Sequence, residues 1–451
     1  MSGPIVKTKE GLRFAKLICV VGSETANNNK EYIMEELPSG VPWSDKKGSG
    51  TTGHGTHFRA SWGRVEGGKK QVMDYSMSEW DSIYKKKTTR KEETYEDVTE
   101  FMVMESAPAK SGGKKLFRDD RPKPVVEFAK TLQKHANASV EENYTISATA
   151  VSQKQVDKAQ AIINDISGML KMNVDATPIN DSLITLFKTI PRKMKKVNDH
   201  LIQESKIGDK KLLQAIKDQL GSEQDILDVM AGQVLVSLQG IDVDDTNSAV
   251  SDILDSLGLD IQLVDKSEEE QIKEMLAVSN NHRQFVRAFK VINKNTDMLF
   301  KKHIASVKNK KQSLLWHGSR NENWWYIGQQ GLKLKPATAV ITGKMFGHGT
   351  YFADKAQKSI GYTSLHGSYF ARGSSRTALL GLYEVHNGHE WDVFGGGKHH
   401  TSEHSQLTHS KVSSKGYDSV FAKGGYDLRN NEFIVYDENQ SNIKDLVEIG
   451  E

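Results

Sequence analysis

The chain has 451 residues, of which 37% are hydrophobic and 26% are charged, and its formal net charge at pH 7 is +3. This composition excludes a disordered or fibrous protein, and at roughly 100–200 residues per domain the length predicts about two to four domains. The longest apolar run, residues 17–21, is far below the roughly 18–20 residues that cross a bilayer, so neither a membrane helix nor a membrane partner is expected. Residues 1–10 lack the apolar core of a signal peptide and Cys19 is the only cysteine, which together predict a reducing intracellular compartment.

The first region, residues 10–105, has the pattern of a small β-rich domain. Its apolar and β-branched runs predict four strands, at residues 12–21, 32–37, 57–62 and 71–75. A short helix is predicted at 78–87, and the Gly-, Ser- and Thr-rich residues 46–56 predict an exposed loop. Between residues 46 and 91 there are eleven Lys or Arg and four Asp or Glu, an excess that fits either a solvated surface or contact with phosphates.

The next two regions differ from the first in texture. Residues 106–145 are predicted to be a linker, because 106–120 mix Gly, Ser, Ala, Pro and charge without periodicity. Residues 146–245 are predicted to form an all-α bundle, whose first helix starts at a capping box of Ser152 and Gln155. Further helices are predicted at 178–189, 199–204, 209–220 and 222–238. A helical spacer without a regulatory role fits the same pattern.

The last region, residues 255–451, reads as a mixed α+β domain with short strands separated by glycines. Its predicted strands lie at 313–316, 349–352, 377–385 and 432–437. The fold class expected for the whole chain is therefore multidomain α+β. Four histidines, His399, His400, His404 and His409, include one pair at a spacing seen in zinc sites, but without cysteines or a carboxylate partner they favour a polar loop over a metal site.

Three segments of the last region carry candidate chemistry, namely residues 314–320, 347–354 and 431–437. Taken singly, His317 after an apolar strand is more typical of a structural hydrogen bond, and Tyr351 beside Phe352 is more typical of a core aromatic. Glu432 differs, because a carboxylate that opens an apolar strand has to be solvated or paired to avoid a large burial cost.

Together and in this order, the three segments resemble the His-Tyr-Glu signature of the poly(ADP-ribose) polymerase family, with His317, Tyr351 and Glu432 at its three positions. Residues 342–347 are similar to the donor-site loop of that family. The resemblance implies an ADP-ribosyltransferase fold and a glycosyltransferase activity that takes NAD⁺ as the ADP-ribose donor and needs no metal. Acceptor proteins, including the chain itself, are the implied partners.

The resemblance also implies roles for the residues around the nicotinamide ribose. Nicotinamide leaves from an anomeric carbon, so the transition state is oxocarbenium-like and positively charged. Glu432 would bond the ribose hydroxyl and stabilise that charge, supported electrostatically by Lys358. The Gly318 backbone and the Ser359 hydroxyl would bond the nicotinamide carboxamide.

The planar and adenosine parts of NAD⁺ have implied partners as well. Tyr362 would stack on the nicotinamide ring, with Tyr351 lining its other side. The adenosine-side ribose would be held by His317, acting as a binder rather than a proton shuttle, and by Ser319.

The chain departs from the family pattern at Lys333, at Lys344 in the donor loop and at His348. These changes affect the grip on the adenosine half and leave the cleavage residues intact. The glutamate at 432 favours polymer synthesis, because mono-transferring relatives usually replace it. Mono-ADP-ribosylation is the alternative, since the altered donor loop and a poorly matching acceptor-side segment, residues 391–430, could weaken binding of a growing polymer.

Residues 27–30 together with Trp62-Gly63-Arg64 are similar to the WGR module of the DNA-break-activated members. This implies that Trp62 packs on the sugar at a DNA end and that Arg64 contacts DNA or the helical domain, with base-independent phosphate binding around them. Residues 146–245 resemble the family's regulatory helical domain, notably at 151–163 and 186–191. In relatives this domain shields the NAD⁺ site until DNA binding loosens it, and the resemblance implies the same here.

The implied protein is an enzyme of the DNA damage response that DNA ends stimulate. It would act in the nucleus of a eukaryotic cell, or in the cytoplasm of any other host. An alternative from another class is a DNA-end-binding scaffold with an inactive transferase fold, but an inactive fold has no chemical reason to keep His317, Tyr351 and Glu432 together.

Overall fold

The computed structural model describes residues 6–7, 11–22, 27–65, 69–90, 93–99, 117–118, 120–146, 148, 151–169, 176–203, 209–238, 252–334, 345–425 and 427–451. The chain divides into two compact units. The first contains Met1–Ser111 and Val140–Ser237, and the second contains Gly112–Ser139 and Leu238–Glu451. Both helices and strands occur in each unit, so the chain is a multidomain α+β protein, as the sequence predicts.

The first unit is built on an antiparallel sheet. Its strands are β1 (Val6–Lys7), β2 (Arg13–Gly22), β3 (Asn27–Glu36), β4 (Pro42–Ser44), β5 (Ser49–Thr51), β6 (His57–Arg64), β7 (Gln71–Ser76) and β8 (Glu96–Asp97). Among the described residues the main order is β1-β2-β3-β6-β7, and β8 pairs with β2. The four predicted strands overlap β2, β3, β6 and β7. Helix α1 (Trp80–Thr88) follows, with Trp80 buried against Phe58 at a ring distance of 4.9 Å.

The predicted loop at 46–56 is in part a hairpin, because β4 pairs with β5. The side chain of Asp45 accepts hydrogen bonds from the backbone N–H groups of Lys47 at 2.7 Å and Gly48 at 2.9 Å, which closes the turn. Ser49–Thr51 is exposed throughout. Burial therefore gives this strand no apolar pattern, and its pairing could not be read from the sequence.

The remaining helices of this part of the chain are α2 (Lys123–Asn143), α3 (Gln153–Met169), α4 (Ala176–Thr189) and α5 (Asp209–Leu238). The predicted capping box before α3 is present: the Gln155 N–H donates to Ser152 Oγ at 3.3 Å, and the Ser152 N–H donates to Gln155 Oε1 at 3.0 Å. The two helices predicted at 209–220 and 222–238 are one helix, which continues through Gly221. A glycine inside a helix lowers the stability of the helix but does not by itself end it.

The helix predicted at 199–204 is wrong where the structure describes it. A single 3₁₀ turn, Val197–His200, ends at Leu201, whose backbone is extended. Asn180 holds the next residue by both backbone groups: its Oδ1 accepts from the Ile202 N–H at 2.8 Å, and its Nδ2 donates to the Ile202 carbonyl at 2.9 Å. A tertiary contact thus replaces the helical hydrogen bonds of this segment.

The predicted linker at 106–145 contains helix α2, a difference from the sequence expectation. Val125, Phe128 and Leu132 lie on one face of this helix and are buried. The Phe128 ring stacks on Phe289 of the second unit's sheet at 3.9 Å. The mixed composition that suggested a linker ends near residue 120, and an amphipathic helix starts directly after it.

The second unit combines short helices with two sheets. Its strands are β9 (Leu259–Leu263), β10 (Phe285–Asn293), β11 (Gln312–Gly318), β12 (Thr350–Phe352), β13 (Thr377–His386), β14 (Glu390–Asp392), β15 (Ser419–Ala422), β16 (Glu432–Val435) and β17 (Ser441–Gly450). Its helices are α6 (Ile253–Ser256), α7 (Lys266–Ala277), α8 (Lys294–Ser306), α9 (Trp324–Gln330), α10 (Ala356–Ile360) and α11 (His409–Ser413).

The two sheets of the second unit meet at the end of β11. Among the described residues, one sheet has the order β11-β13-β17-β10-β9 and the other β12-β16-β15-β14. The Trp316 N–H donates to the Ala353 carbonyl at 2.8 Å, and the Ala353 N–H donates back to Trp316 at 3.0 Å. This bridge brings the end of β11 beside β12 and the start of α10. Two of the three sequence motifs are thereby joined.

Candidate active site

His317 is held in place by β12. Its Nδ1 lies 2.9 Å from the carbonyl oxygen of Tyr351. A carbonyl can only accept, so in the neutral ring Nδ1 carries the hydrogen and Nε2 is the acceptor atom. The ring also packs against Phe352 and Tyr383, at centroid distances of 5.6 and 5.9 Å. An imidazole held this way is suited to accepting a hydrogen bond from a hydroxyl.

Gly318 lies directly against α10. A Cβ at this position would come within 1.9 Å of the Ser359 carbonyl oxygen, so only glycine fits. Ser359 is buried, and its hydroxyl donates to the Trp316 carbonyl at 3.0 Å. The backbones of Gly318 and Ser359 are therefore in close contact, at the point where the Ser359 hydroxyl bonds the strand that ends at Gly318.

Glu432 opens β16 and is only 7% exposed. One of its carboxylate oxygens forms an ion pair with the ammonium group of Lys358 on α10. A buried carboxylate is costly unless it is paired, and Lys358 supplies that pairing. The pair joins α10, which follows the second motif segment, to the start of β16 in the third, beside the contact between β12 and β16.

The negative charge of Glu432 acts on two nearby tyrosines, Tyr351 and Tyr362. The Tyr351 hydroxyl accepts from the Phe346 N–H and donates to the Gly347 carbonyl, each at 3.0 Å. Burial raises the pKa of Tyr351 well above its ordinary value, and the charge of Glu432 adds to that effect. Burial and the same charge raise the pKa of Tyr362 to about 12. Both rings are therefore neutral phenols at physiological pH.

Several residues that the sequence left without a role hold the site in shape. Asn321, which is buried, donates from its backbone N–H to Ser364 Oγ at 2.9 Å and accepts from the Leu379 N–H at 3.1 Å. The Tyr436 hydroxyl donates to the Phe346 carbonyl at 2.6 Å. These contacts are distant in sequence, so no local pattern marks them.

Ser319 and Asn431 also have defined partners. Ser319 Oγ accepts from Asn323 Nδ2 at 3.0 Å, which leaves its own O–H able to donate. Asn431, next to Glu432, donates from Nδ2 to Asp354 Oδ2 at 2.6 Å and accepts from the Gly424 N–H at 2.8 Å. The start of β16 is thereby tied to the end of the second motif segment.

The positions that depart from the family pattern have structural partners where they are described. Lys333 pairs with Glu438 at 2.9 Å, and the His348 N–H donates to the Leu407 carbonyl at 2.9 Å. Lys344, with Thr342 and Gly343 of the donor-site loop, lies outside the described residues.

The clustered histidines have protein partners. His400 Nε2 lies 2.7 Å from the Met345 carbonyl, His404 Nδ1 accepts from the Thr401 N–H at 3.1 Å, and His399 Nδ1 lies 3.1 Å from an Asp427 oxygen. Within the described parts of the chain, no group of three His, Cys, Asp or Glu side chains is arranged to hold a metal ion.

The candidate DNA-binding residues lie on β6 of the first unit. Trp62 stands opposite Tyr32 in the sheet and stacks on its ring at 5.5 Å with an interplanar angle of 22°. Arg64 is exposed and donates from an Nη to the Lys195 carbonyl at 3.1 Å. On the neighbouring strand, Asn29 donates to the Arg192 carbonyl at 3.0 Å. The sheet is thus bonded to the segment between α4 and α5.

Comparison with known proteins assigns this site to a family. Residues 266–450 match the family model of the poly(ADP-ribose) polymerase catalytic domain. The chain is 32% identical over 190 residues to poly(ADP-ribose) polymerase-like protein 100L of invertebrate iridescent virus 6, a match that covers 41% of the chain and 99% of the viral protein. It is 26% identical over 346 residues to poly(ADP-ribose) polymerase 1 of Gallus gallus, with coverage of 72% of the chain and 32% of the chicken protein. It is 36% identical over 157 residues to poly(ADP-ribose) polymerase 2 of Homo sapiens, with coverage of 30% of the chain and 26% of the human protein.

The C-terminal part of the chain is therefore a transferase domain of the kind that uses NAD⁺ for ADP-ribosylation. The chain belongs to the poly(ADP-ribose) polymerase family. It spans about a third of the length of the chicken relative and about a quarter of the human one. Every helix in the described ranges is too short or too polar to cross a membrane.

Proposed function

We propose that the chain is a DNA-break-stimulated ADP-ribosyltransferase that cleaves NAD⁺, modifies proteins including itself and extends the product to poly(ADP-ribose). The observation that carries the proposal is the buried Lys358–Glu432 ion pair, which lies close to Tyr351 in the same small region of the second unit. The proposed setting is the DNA damage response, in the nucleus of a eukaryotic cell or the cytoplasm of any other host.

In the proposed reaction the bond between the anomeric carbon and the nicotinamide nitrogen breaks, and its electron pair neutralises the pyridinium of the leaving group. Glu432 accepts a hydrogen bond from the ribose hydroxyl and stabilises the positive charge that develops on the sugar. An acceptor hydroxyl oxygen then bonds to the anomeric carbon and releases its proton to solvent, so the products are nicotinamide, the ADP-ribosylated acceptor and H⁺. Lys358 offsets the cost of burying the carboxylate.

In the same proposal, the neighbouring residues bind the other parts of NAD⁺. The Gly318 backbone and the Ser359 hydroxyl bond the carboxamide, and the close contact between the backbones of these two residues supports the pairing. The rings of Tyr351 and Tyr362 enclose nicotinamide as neutral phenols. His317 Nε2 accepts from a hydroxyl of the adenosine-side ribose, and the Ser319 hydroxyl donates to it.

We assign the proposed response to DNA ends to the first unit. Trp62 and Arg64 lie near each other on β6, so one strand offers a flat ring and a cation to a DNA end. Arg64 also reaches the Lys195 carbonyl, and Asn29 reaches the Arg192 carbonyl. DNA that engages this strand would strain both bonds, and the helical region would then release its restraint on turnover.

The proposal is tested by measuring NAD⁺ turnover with and without blunt DNA ends and by resolving products made with labelled NAD⁺ on a gel. We expect DNA to stimulate turnover and the products to form a ladder or smear. A single discrete shift would replace polymerisation with mono-ADP-ribosylation. Equal turnover with and without DNA would remove the switch but keep the enzyme, and no turnover in either condition would favour a DNA-end-binding scaffold.

A further inference from the structure

The loop after α10 folds back on the helix end from which it starts. The Gly361 carbonyl accepts from the Phe370 N–H at 2.9 Å, and Ser368 Oγ accepts from the Gly373 N–H at 2.7 Å. A Cβ at Gly361 would come within 3.2 Å of the Phe370 ring, so the loop lies tightly against this turn. The backbone of Phe370 is thereby fixed beside Tyr362, the residue that follows Gly361.

The side chain of Phe370 stacks on the ring of Tyr362. The ring centroids are 4.4 Å apart and the interplanar angle is 14°, so one face of the tyrosine is covered. Phe370 is 56% exposed, whereas Ser359 and Glu432 are 4% and 7% exposed. Phe370 is therefore far more exposed to solvent than the buried residues of the site.

Core packing does not account for this phenylalanine. A side chain that served only the hydrophobic core would be removed from water, yet more than half of the Phe370 surface remains in it. Tyr362 is itself 38% exposed, so burial alone does not lock its ring. The stack with Phe370 covers one face of the tyrosine and so restricts the orientation of its ring.

We propose that Phe370 is a positioning residue for the nicotinamide subsite: it holds one face of Tyr362 so that the opposite face is presented to the nicotinamide ring. The inference rests on the proposed function, which assigns Tyr362 to nicotinamide. A ring that is already oriented loses less conformational entropy when a ligand stacks on it, so the benefit falls on binding. Phe370 does not touch the reacting atoms, and its loss leaves the chemical step almost unchanged.

The experiment compares full-length wild type with Phe370→Ala, Phe370→Leu and Phe370→Tyr. The readouts are KM and kcat for NAD⁺, the inhibition constant of nicotinamide, and the melting temperature. Aromatic pairs contribute about 0.5–1.5 kcal/mol beyond burial, which corresponds to roughly two- to tenfold in affinity. We expect KM and the inhibition constant to rise by that factor in Phe370→Ala and Phe370→Leu, with kcat within about twofold. Phe370→Tyr keeps the ring and should restore both constants.

Tyr369→Ala is the matched control, because Tyr369 is the neighbouring aromatic residue, is 81% exposed and meets only the edge of Phe370. It should leave KM and the inhibition constant near wild type. If the Phe370→Leu constants equal those of wild type, or fall below them, the inference is wrong, and lower values would mean that Phe370 blocks the subsite. A wild type that neither binds nicotinamide nor turns over NAD⁺ would overturn the proposed function and this inference together, so the two failures are told apart by the wild type alone.

Discussion

The second unit buries Glu432 against Lys358, and the first unit buries Glu223 against Arg192, but the surroundings of the two pairs differ. Glu223 and Arg192 have side chains that are 2% and 5% exposed, and the guanidinium lies over the ring of Tyr144 at 5.3 Å. Burial raises the pKa of Glu223, although Arg192 acts in the opposite direction. Helices α3 to α5 and the aromatic rings around it enclose this pair. The pair is part of the core of the helical region.

The Lys358–Glu432 pair is less enclosed, with 15% and 9% of the two side chains exposed. Its neighbours include phenol rings and a hydroxyl rather than a closed apolar shell. The comparison shows that a buried ion pair alone does not identify a catalytic site. What identifies one is a set of groups around the pair that can bind a polar, planar ligand.

The largest expected effect is that of Glu432→Gln, which tests whether the Lys358–Glu432 pair has a catalytic role that the Arg192–Glu223 pair lacks. The substitution removes the negative charge that we propose stabilises the sugar cation, so we expect turnover of NAD⁺ to fall on the order of 10²–10³-fold, with little change in KM. The measurement is kcat for nicotinamide release. Glu270→Gln, an exposed glutamate on α7, is the control and should behave as wild type. Unchanged kcat in Glu432→Gln would contradict the assigned role.

Glu223→Gln tests the other pair. It leaves the buried Arg192 without its counter-charge, and we expect the free energy of unfolding to drop by about 3 kcal/mol in a denaturant titration. If the helical region restrains turnover, DNA-independent NAD⁺ cleavage should rise as this region loosens. The control is Asp225→Asn, an exposed position on α5. A stability loss with unchanged basal turnover would separate the helical core from any regulatory role.

Asp445→Asn tests the cost of burying a carboxylate oxygen without a hydrogen bond. Asp445 is 1% exposed, and its Oδ1 has no hydrogen-bond partner in the part of the chain that the structure describes. Burial raises its pKa from 3.8 to about 6. The folded-state pKa is above the unfolded one, so the charged carboxyl destabilises the fold above about pH 6, and this cost disappears below about pH 4. We expect Asp445→Asn to stabilise the protein by about 2 kcal/mol at pH 7.

The measurement for Asp445→Asn is thermal unfolding across pH 4 to 8 beside wild type. A gain in melting temperature that is the same at both ends of this range would show that the carboxyl does not titrate as described.

Arg64→Ala has the smallest expected effect. If Arg64 contacts a phosphate, affinity for DNA ends should fall and the slope of log affinity against log salt should shrink by about one. If Arg64 serves only its bond to the Lys195 carbonyl, basal turnover should rise while DNA affinity stays constant. Fluorescence anisotropy with a blunt duplex measures the first outcome. Arg283→Ala, at an exposed position of the second unit, controls for the loss of one charge.

From the sequence alone, the apolar patterns predict strands β2, β3, β6, β7, β11, β12, β13 and β16 and helices α1, α3, α4 and α5, together with the capping box before α3 and the three segments that carry the candidate chemistry. The remaining strands and the short helices of the second unit are not predicted. The predicted features are local, since hydrophobic periodicity and capping depend on neighbours within a few residues. The sequence failed at the hairpin β4–β5, at the extended residues after 200 and at the helix inside the predicted linker. In the first two cases the structure depends on pairing or a distant side chain rather than on a local pattern.

Only the tertiary structure decided which charges and rings meet. The register of β12 on β16, with Phe352 opposite Phe433, brings the helix that follows β12 to the start of β16. Lys358 thereby reaches Glu432, and the loop after the same helix places Phe370 on Tyr362. Such contacts join residues far apart along the chain, and their energies depend on burial and geometry that no spacing within one segment specifies.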